Sequence, residues 1–355
     1  MAAPPRTAAA TETGCLVIAD ISGYTGYIVA GPLEFSEDVV ADVTETIAAR
    51  LGQVLRINKR EGDAVFAYAF RDEADASLIL DTVEACYFAF RSRLEGVSHS
   101  TTCSCSACRK ATELDLKFVL HAGEWIRRDD ELTGTDVIVA HRLLKNELEL
   151  GAYALVTESF AAAYGLDPEL LGLAPHVERY HDVGEIRGFV SDLEGRYLVE
   201  RNRRRVVVSP EDAALTLERT LSLPPAAAWE LLTAPARRLL WQVDDIEEAQ
   251  AGGRRATGTA CICVDGRTKI FEELLDWRPF DYFTESRTPE GGTRFLLTTS
   301  LTAIAEGTAV RILGRPDGSR PGWRETRRLV RRLRADYDRL VAVAPAQEEE
   351  EEKED

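Results

Sequence analysis

Residues 16–29 read LVIADISGYTGYIV. The apolar run over Cys15–Ala19 has no polar alternation, which fits a strand buried on both faces. It ends on a carboxylate, Asp20, and Ser22, Gly23 and Thr25 make a small, flexible turn right behind it. A second stretch, INKREGDAVFAY (57–68), reads as strands at 53–59 and 64–68. Only Arg60-Glu61-Gly62-Asp63 separates them, which is a hairpin turn. If these strands neighbour the first, Asp20 and Asp63 meet at one end of a sheet. Two carboxylates beside a turn with free backbone N–H groups can hold Mg²⁺ or Mn²⁺ and the phosphates it carries. The same residues are also ordinary turn formers.

The first half continues in the same mixed manner. Helices are expected from Ser36 to Leu51, over 73–94 and over 136–146. Two short strands are expected within 114–126, and others near 153–156, 178–189 and 195–200. The order is that of an α+β sheet domain of ferredoxin-like type. The basic segment RNRRRVVVSPED (201–212) marks a domain boundary. Beyond it the pattern is one strand at 215–223, a helix from Pro224-Pro225 to Trp241, six strands, and a long helix over 323–343. Arg327, Arg328, Arg331, Arg332 and Arg334 of that helix read as a solvated face or as a phosphate-binding patch. The organisation is a lead at 1–12, a first domain at 13–201, a linker at 202–212, a second domain at 213–345 and an acidic tail at 346–355.

DISGYT together with K-x-x-GDAVFAY resembles the signature of class III nucleotide cyclases. The resemblance covers residues 13–200 and implies a cyclase-type sheet domain. It implies that Asp20 and Asp63 hold two Mg²⁺ or Mn²⁺ ions on a nucleoside triphosphate, with ATP favoured over GTP. Ile21, Gly23 and Thr25 fall on the phosphate-holding turn. Lys59 matches a purine-reading lysine, and Glu131 falls on the second purine-reading position. In ELTGTDVIVAHRLL (131–144), Arg142 matches the arginine that stabilises the transition state, and Arg187 of GEIRGF falls near a phosphate-binding lysine. The family's catalytic asparagine position holds Ile138, which can neither donate nor accept a hydrogen bond. His121-Ala-Gly-Glu and His-Arg-Leu-Leu-Lys-Asn (141–146) resemble more closely a bacterial group that joins such a domain to a START-like one. The family builds its sites across a dimer, so a homodimer is implied.

The second half resembles the START-like, helix-grip (SRPBCC) superfamily, an α+β fold whose sheet wraps its last helix. The resemblance implies a cavity for an apolar small molecule. Trp229, Trp241, Phe271, Trp277, Phe283 and Phe295 either line it or fill a core. No histidine follows His181 and no Ser/His/Asp set is evident there, so binding rather than catalysis is expected.

The remaining features bound the function. Of 355 residues, 45% are hydrophobic and 29% charged, enough for each domain to bury a core. The net charge of −17 argues against nucleic-acid binding, and no run approaches the ~18–20 apolar residues of a membrane helix. The small, polar N-terminus lacks a signal-peptide core, which points to the cytoplasm. The leading expectation is metal-dependent purine nucleotide binding, with cyclisation weak or lost, tuned by a ligand-binding domain. The alternatives are an inactive nucleotide or ligand sensor, and an apolar-ligand carrier with a dimerising first domain. Between 99 and 112, Cys103, Cys105 and Cys108 form C-x-C-x-x-C. They suit structural zinc completed by His99 or His121, a redox role, or plain reduced thiols. If zinc is bound, metal analysis of chelator-free protein gives about one equivalent per chain; metal-free protein with all three thiols alkylatable excludes it.

Overall fold

The computed structural model describes residues 10–30, 33–100, 110–111, 113–128, 131–146, 148–250, 253–318 and 323–354. Cys103, Cys105 and Cys108 lie outside them. The chain divides into two compact units, Met1–Arg203 and Arg204–Asp355.

The first unit is built on β1 (Thr11–Ser22), whose Cys15–Ala19 core is fully buried. Apolar side chains on both faces forbid a solvent-facing side, so the strand must lie inside the sheet. It pairs antiparallel with β3 (Ala64–Phe70) on one side and with β4 (Asp115–Arg128) on the other. The hairpin partner β2 (Arg56–Glu61) forms one edge. Beyond β4 come β6 (Tyr153–Thr157), β8 (Gly184–Asp192) and the edge strand β7 (Ala174–Tyr180), giving the order β2-β3-β1-β4-β6-β8-β7. A short β5 (Glu131–Thr133) pairs with the end of β4.

β6 runs parallel to β4, so the chain crosses over between them. The crossover carries α4 (Thr135–Leu143), which follows α1 (Tyr24–Ala30), α2 (Leu33–Leu51) and α3 (Ala76–Ser100). Val137 and Ala140 of α4 pack with Leu16, Ile18, Phe66, Tyr68 and Trp125. Because side chains alternate along a strand, Asp20 lies on this same α4-facing side as Leu16 and Ile18. Gly14 of β1 faces Gly123 of β4. A Cβ on Gly14 would sit 2.0 Å from the Ala69 carbonyl oxygen and 2.8 Å from Trp125.

Three local expectations are corrected. Residues 115–128 form one long strand rather than two, because β1 pairs with Asp115 through Ile126, β5 with its last three residues and β6 with Lys117–Leu120. The strand expected over 178–189 is a hairpin of β7 and β8 turning before Gly184 (φ 79°). The strand expected at 195–200 is helix α6 (Leu193–Asn202), after a short α5 (Glu158–Ala163). Asp192 caps α6 by accepting the Gly195 N–H at 2.9 Å, and Leu193 and Tyr197, four apart, supply the buried side.

The second unit is an antiparallel seven-stranded sheet of order β10-β11-β12-β13-β14-β15-β9. Its strands are β9 (Leu215–Leu221), β10 (Asp245–Ala249), β11 (Ala260–Asp265), β12 (Thr268–Arg278), β13 (Tyr282–Pro289), β14 (Phe295–Ile304) and β15 (Gly307–Pro316). Helices α7 (Pro225–Thr233) and α8 (Pro235–Arg238) follow β9. Helix α9 (Trp323–Glu354) buries Leu329, Leu333, Tyr337 and Leu340 as one stripe and runs on through the acidic residues, where a separate tail was expected. The segment before β9 is fastened to this sheet, with Val206 N–H donating to Asp276 and Val208 N–H to Thr298. Among the described residues no helix is long and apolar enough to cross a membrane.

Gly14→Ala forces a methyl group into the Ala69 carbonyl. It should cost about 1–3 kcal/mol or more, read as a lower urea midpoint of the full chain. An unchanged midpoint would contradict this packing.

Candidate functional site

The antiparallel registers set Asp20 opposite Ala64 of β3 and Lys117 of β4. The Ile21 N–H donates to the Asp63 carbonyl at 3.2 Å, which ties the β2–β3 turn to the end of β1. Asp20 and Asp63 are thus brought together, and the Ile21 N–H expected to be free is in fact used. Lys117 Nζ stands 3.5 Å from Asp20 Oδ2. Burial raises the Asp20 pKa most, Lys117 opposes it, and the Asp63 charge raises it further. Repulsion between the two carboxylates is therefore the smaller cause. The Ser22 hydroxyl is buried beside this site without a hydrogen-bond partner. Gly23 turns the chain with φ 84°, and Thr25 is exposed on α1.

Lys59 lies on β2 at this same end of the sheet and is paired with Glu61 at 2.6 Å. His141 of α4 packs edge-on to Phe66, and burial, then the Lys59 charge, lowers its pKa. The other residues are not gathered here. Arg142 is held at 2.6 Å by Asp182, in the turn between β7 and β8. β8 is three strands from β1, roughly 14 Å at the usual strand spacing. Glu131 pairs with Arg128 at the far end of β4, roughly 30 Å along that strand from the level of Lys59. Arg187 is exposed on β8 and paired with Glu185. Ile138 projects from α4 and is 51% exposed, so it is not needed for the core.

The interior of the second unit is more polar than its sequence reading. Arg238 of α8 bonds Glu272 of β12, and Arg287 of β13 lies 2.9 Å from Glu272 and 3.1 Å from Glu285. All four are nearly inaccessible. Burial pushes the Glu272 carboxyl up, but the Arg238 and Arg287 guanidiniums overcome it and hold it low. Burial raises Glu285, with Arg287 opposing. Arg238, Glu248, Arg255, Glu272 and Glu285 join Trp277 and Phe283 around a cavity of about 20 Å³, room for a water molecule but no lipid. Trp229, Trp277 and Phe283 pack against one another as core. Trp241 packs on Tyr337, Phe295 is buried, and Phe271, expected to line a cavity, is 45% exposed. A larger groove of about 570 Å³ lies among Val207, Asp212, Ala213, Ala214, Arg315, Pro316 and Thr326.

Sequence reading missed Lys117 and the buried Arg/Glu set. Lys117 could have been found from alternation, since it sits two positions from Val119 on the same face. The charges on β12 and β13 carry no such signal, because Glu and Arg there look like a solvent face. His121, considered as a zinc ligand, is instead engaged by Asp136, Thr157 and Ser159.

Residues 40–153 match the family model "Protein of unknown function (DUF2652)", and residues 212–345 match "Polyketide cyclase / dehydrase and lipid transport". The chain is 33% identical over 144 residues to the uncharacterized protein Rv2561/Rv2562 of Mycobacterium tuberculosis, covering 39% of this chain and 66% of that protein. Similar solved structures include a bacterial light-regulated adenylyl cyclase (16% identity, 54% of this chain and 55% of that one, TM-score 0.39). They also include the adenylyl cyclase CyaB from P. aeruginosa (14%, 52% and 97%, TM-score 0.37) and protein CV1439 from Chromobacterium violaceum (13%, 37% and 96%, TM-score 0.31).

Glu272→Gln removes the charge that two buried guanidiniums face. It should destabilise the second unit by about 3–5 kcal/mol, measured as a shift of its urea transition in the full chain. A loss under ~1 kcal/mol would mean that the network is hydrated rather than dry.

Proposed function

We propose that the first unit binds a nucleoside triphosphate with a divalent cation at Asp20 and Asp63, with cyclisation weak or lost, and that the second unit binds a small ligand. The observation that carries the reading is the convergence of the two aspartates at one sheet end, locked by the Ile21–Asp63 backbone bond. The donor set fits a hard cation: two carboxylates and an orphaned buried hydroxyl, Ser22. When bound, such a cation neutralises phosphate charge and polarises the phosphoryl oxygens. Among the described residues no group of three or more His, Cys, Asp or Glu side chains could hold a metal. Waters and phosphate oxygens would complete the shell, and metal without nucleotide should bind weakly.

This chain's residues then divide the work. Asp20 must be ionised, and Lys117 must yield its place beside Asp20 or turn toward a phosphate. Lys59, on β2 beside β3, would leave Glu61 to meet a purine ring. Ile138 supplies no hydrogen bond to a ribose hydroxyl, and Arg142 is turned to Asp182 within one chain. Turnover thus needs a second copy to bring Arg142 to the site, which favours a homodimer and leaves binding as the better supported role. For the second unit, the match over 212–345 and the groove near Arg315 favour a ligand with both polar and apolar parts.

Calorimetry with MnATP and MnGTP tests the core reading. Wild type should bind at up to millimolar concentration, with ATP tighter, and Asp20→Ala or Asp63→Ala should weaken binding at least tenfold. Lys59→Ala should narrow the ATP/GTP difference and spare metal dependence. The raised Asp20 pKa sets the sign of the pH effect: a proton competes with the cation, so affinity falls as pH is lowered from 7 toward 5. Equal affinity in the aspartate variants, or tighter binding at low pH, rejects the site.

A further inference from the structure

A second constellation stands on the same sheet face, four residues along β4 from Lys117, roughly 13 Å away. His121 of β4 is 5% exposed. Its Nε2 lies 3.2 Å from Asp136 Oδ1 in the first turn of α4. Asp136 Oδ2 accepts the Glu124 N–H at 2.7 Å. The room for that carboxylate comes from Gly123, where a Cβ would stand 2.2 Å from Asp136 Cγ. Burial lowers the His121 pKa, with Asp136 opposing, so the ring is neutral near pH 7.

The proton positions follow from the partners. An ionised carboxylate only accepts, so Nε2 carries the ring hydrogen and Nδ1 presents its lone pair. Nδ1 faces Ser159 Oγ at 3.2 Å and Thr157 Oγ1 at 3.1 Å, and the two hydroxyls are 2.9 Å apart. Thr157 Oγ1 accepts the Phe160 N–H and can donate to the Leu120 carbonyl or to Nδ1. In either arrangement one hydroxyl donates a hydrogen bond to Nδ1, and Ser159 reaches it directly or through Thr157. Ser159 itself is exposed on α5, so an electrophile can reach it.

We propose that Ser159 is a nucleophile, activated by His121 and Asp136, that accepts an acyl group from an activated ester. Ser159 Oγ forms a bond to the acyl carbon while its proton passes to His121 Nδ1. The bond from that carbon to the leaving oxygen breaks, and the leaving group departs with the electron pair. His121 gives the proton back to it or to water. Asp136 holds the ring in this tautomer and stabilises the transient imidazolium, so it is a positioning residue. Neither metal nor nucleotide enters the step.

The test is p-nitrophenyl acetate added to the full chain in chelator. One p-nitrophenolate per chain should be released in a burst, with one acetyl group mapped to Ser159 by mass spectrometry. Ser159→Ala should abolish the burst, and its exposed position spares the fold. Asp136→Asn should slow acetylation by about 10²–10⁴-fold, with circular dichroism checking that the fold persists. Burst and acetyl site unchanged in Ser159→Ala, acetylation of lysines only, or an unchanged rate in folded Asp136→Asn would overturn the proposal.

Discussion

The first unit depends on one constraint: β1 is apolar on both faces and must be paired on both sides. A strand of that composition has no stable place at an edge, where its free backbone groups and one apolar face would meet water. Pairing with β3 and β4 satisfies the backbone, and α4 covers the face that carries Leu16 and Ile18. Asp20 is simply the next residue on that face, where the cover ends. Its position, its burial and its partner Lys117 all follow from the register. The site is therefore the terminus of a core strand.

What the sequence revealed and what it hid divide along physical lines. The runs at Cys15–Ala19 and Ala64–Tyr68 are continuous and apolar, with Val17, Ile18, Val65, Phe66 and Tyr68 among them, and Gly62-Asp63 between two strands reads as a turn. Those local signals located Asp20, Asp63 and Lys59 together. Arg142, Glu131 and Arg187 were assigned by resemblance, and sheet order puts them elsewhere within one chain. The stretch 195–200 looked like a strand because Tyr197, Leu198 and Val199 favour one. The cap at Asp192 and the burial of Tyr197 overrode that preference. The second unit was legible as a strand order but not as an interior. Alternation shows which residues share a face, not whether Glu272 will meet an Arg from a helix 34 residues earlier.

The polar interior changes what the second unit can be. Arg238, Arg287, Glu272 and Glu285 balance in charge, so the interior tolerates them only as a set. A purely hydrocarbon ligand would leave these groups uncompensated if it displaced their water or separated their pairs. A ligand able to hydrogen-bond would not. The same logic separates the two units: one ends a buried strand on Asp20 with Lys117 beside it, the other encloses its charges and pairs them internally.

The pairing of Asp20 with Lys117 spans 97 positions of the chain. During synthesis at roughly 5–20 residues per second, β1 emerges about 5–20 seconds before the strand that completes it. In that interval β1 has only the β2–β3 hairpin to lean on, and its most apolar edge stands open to other nascent chains. The first domain therefore carries its greatest hazard of misassembly before its own fourth strand exists, and its yield in a cell should depend on how well that early strand is shielded.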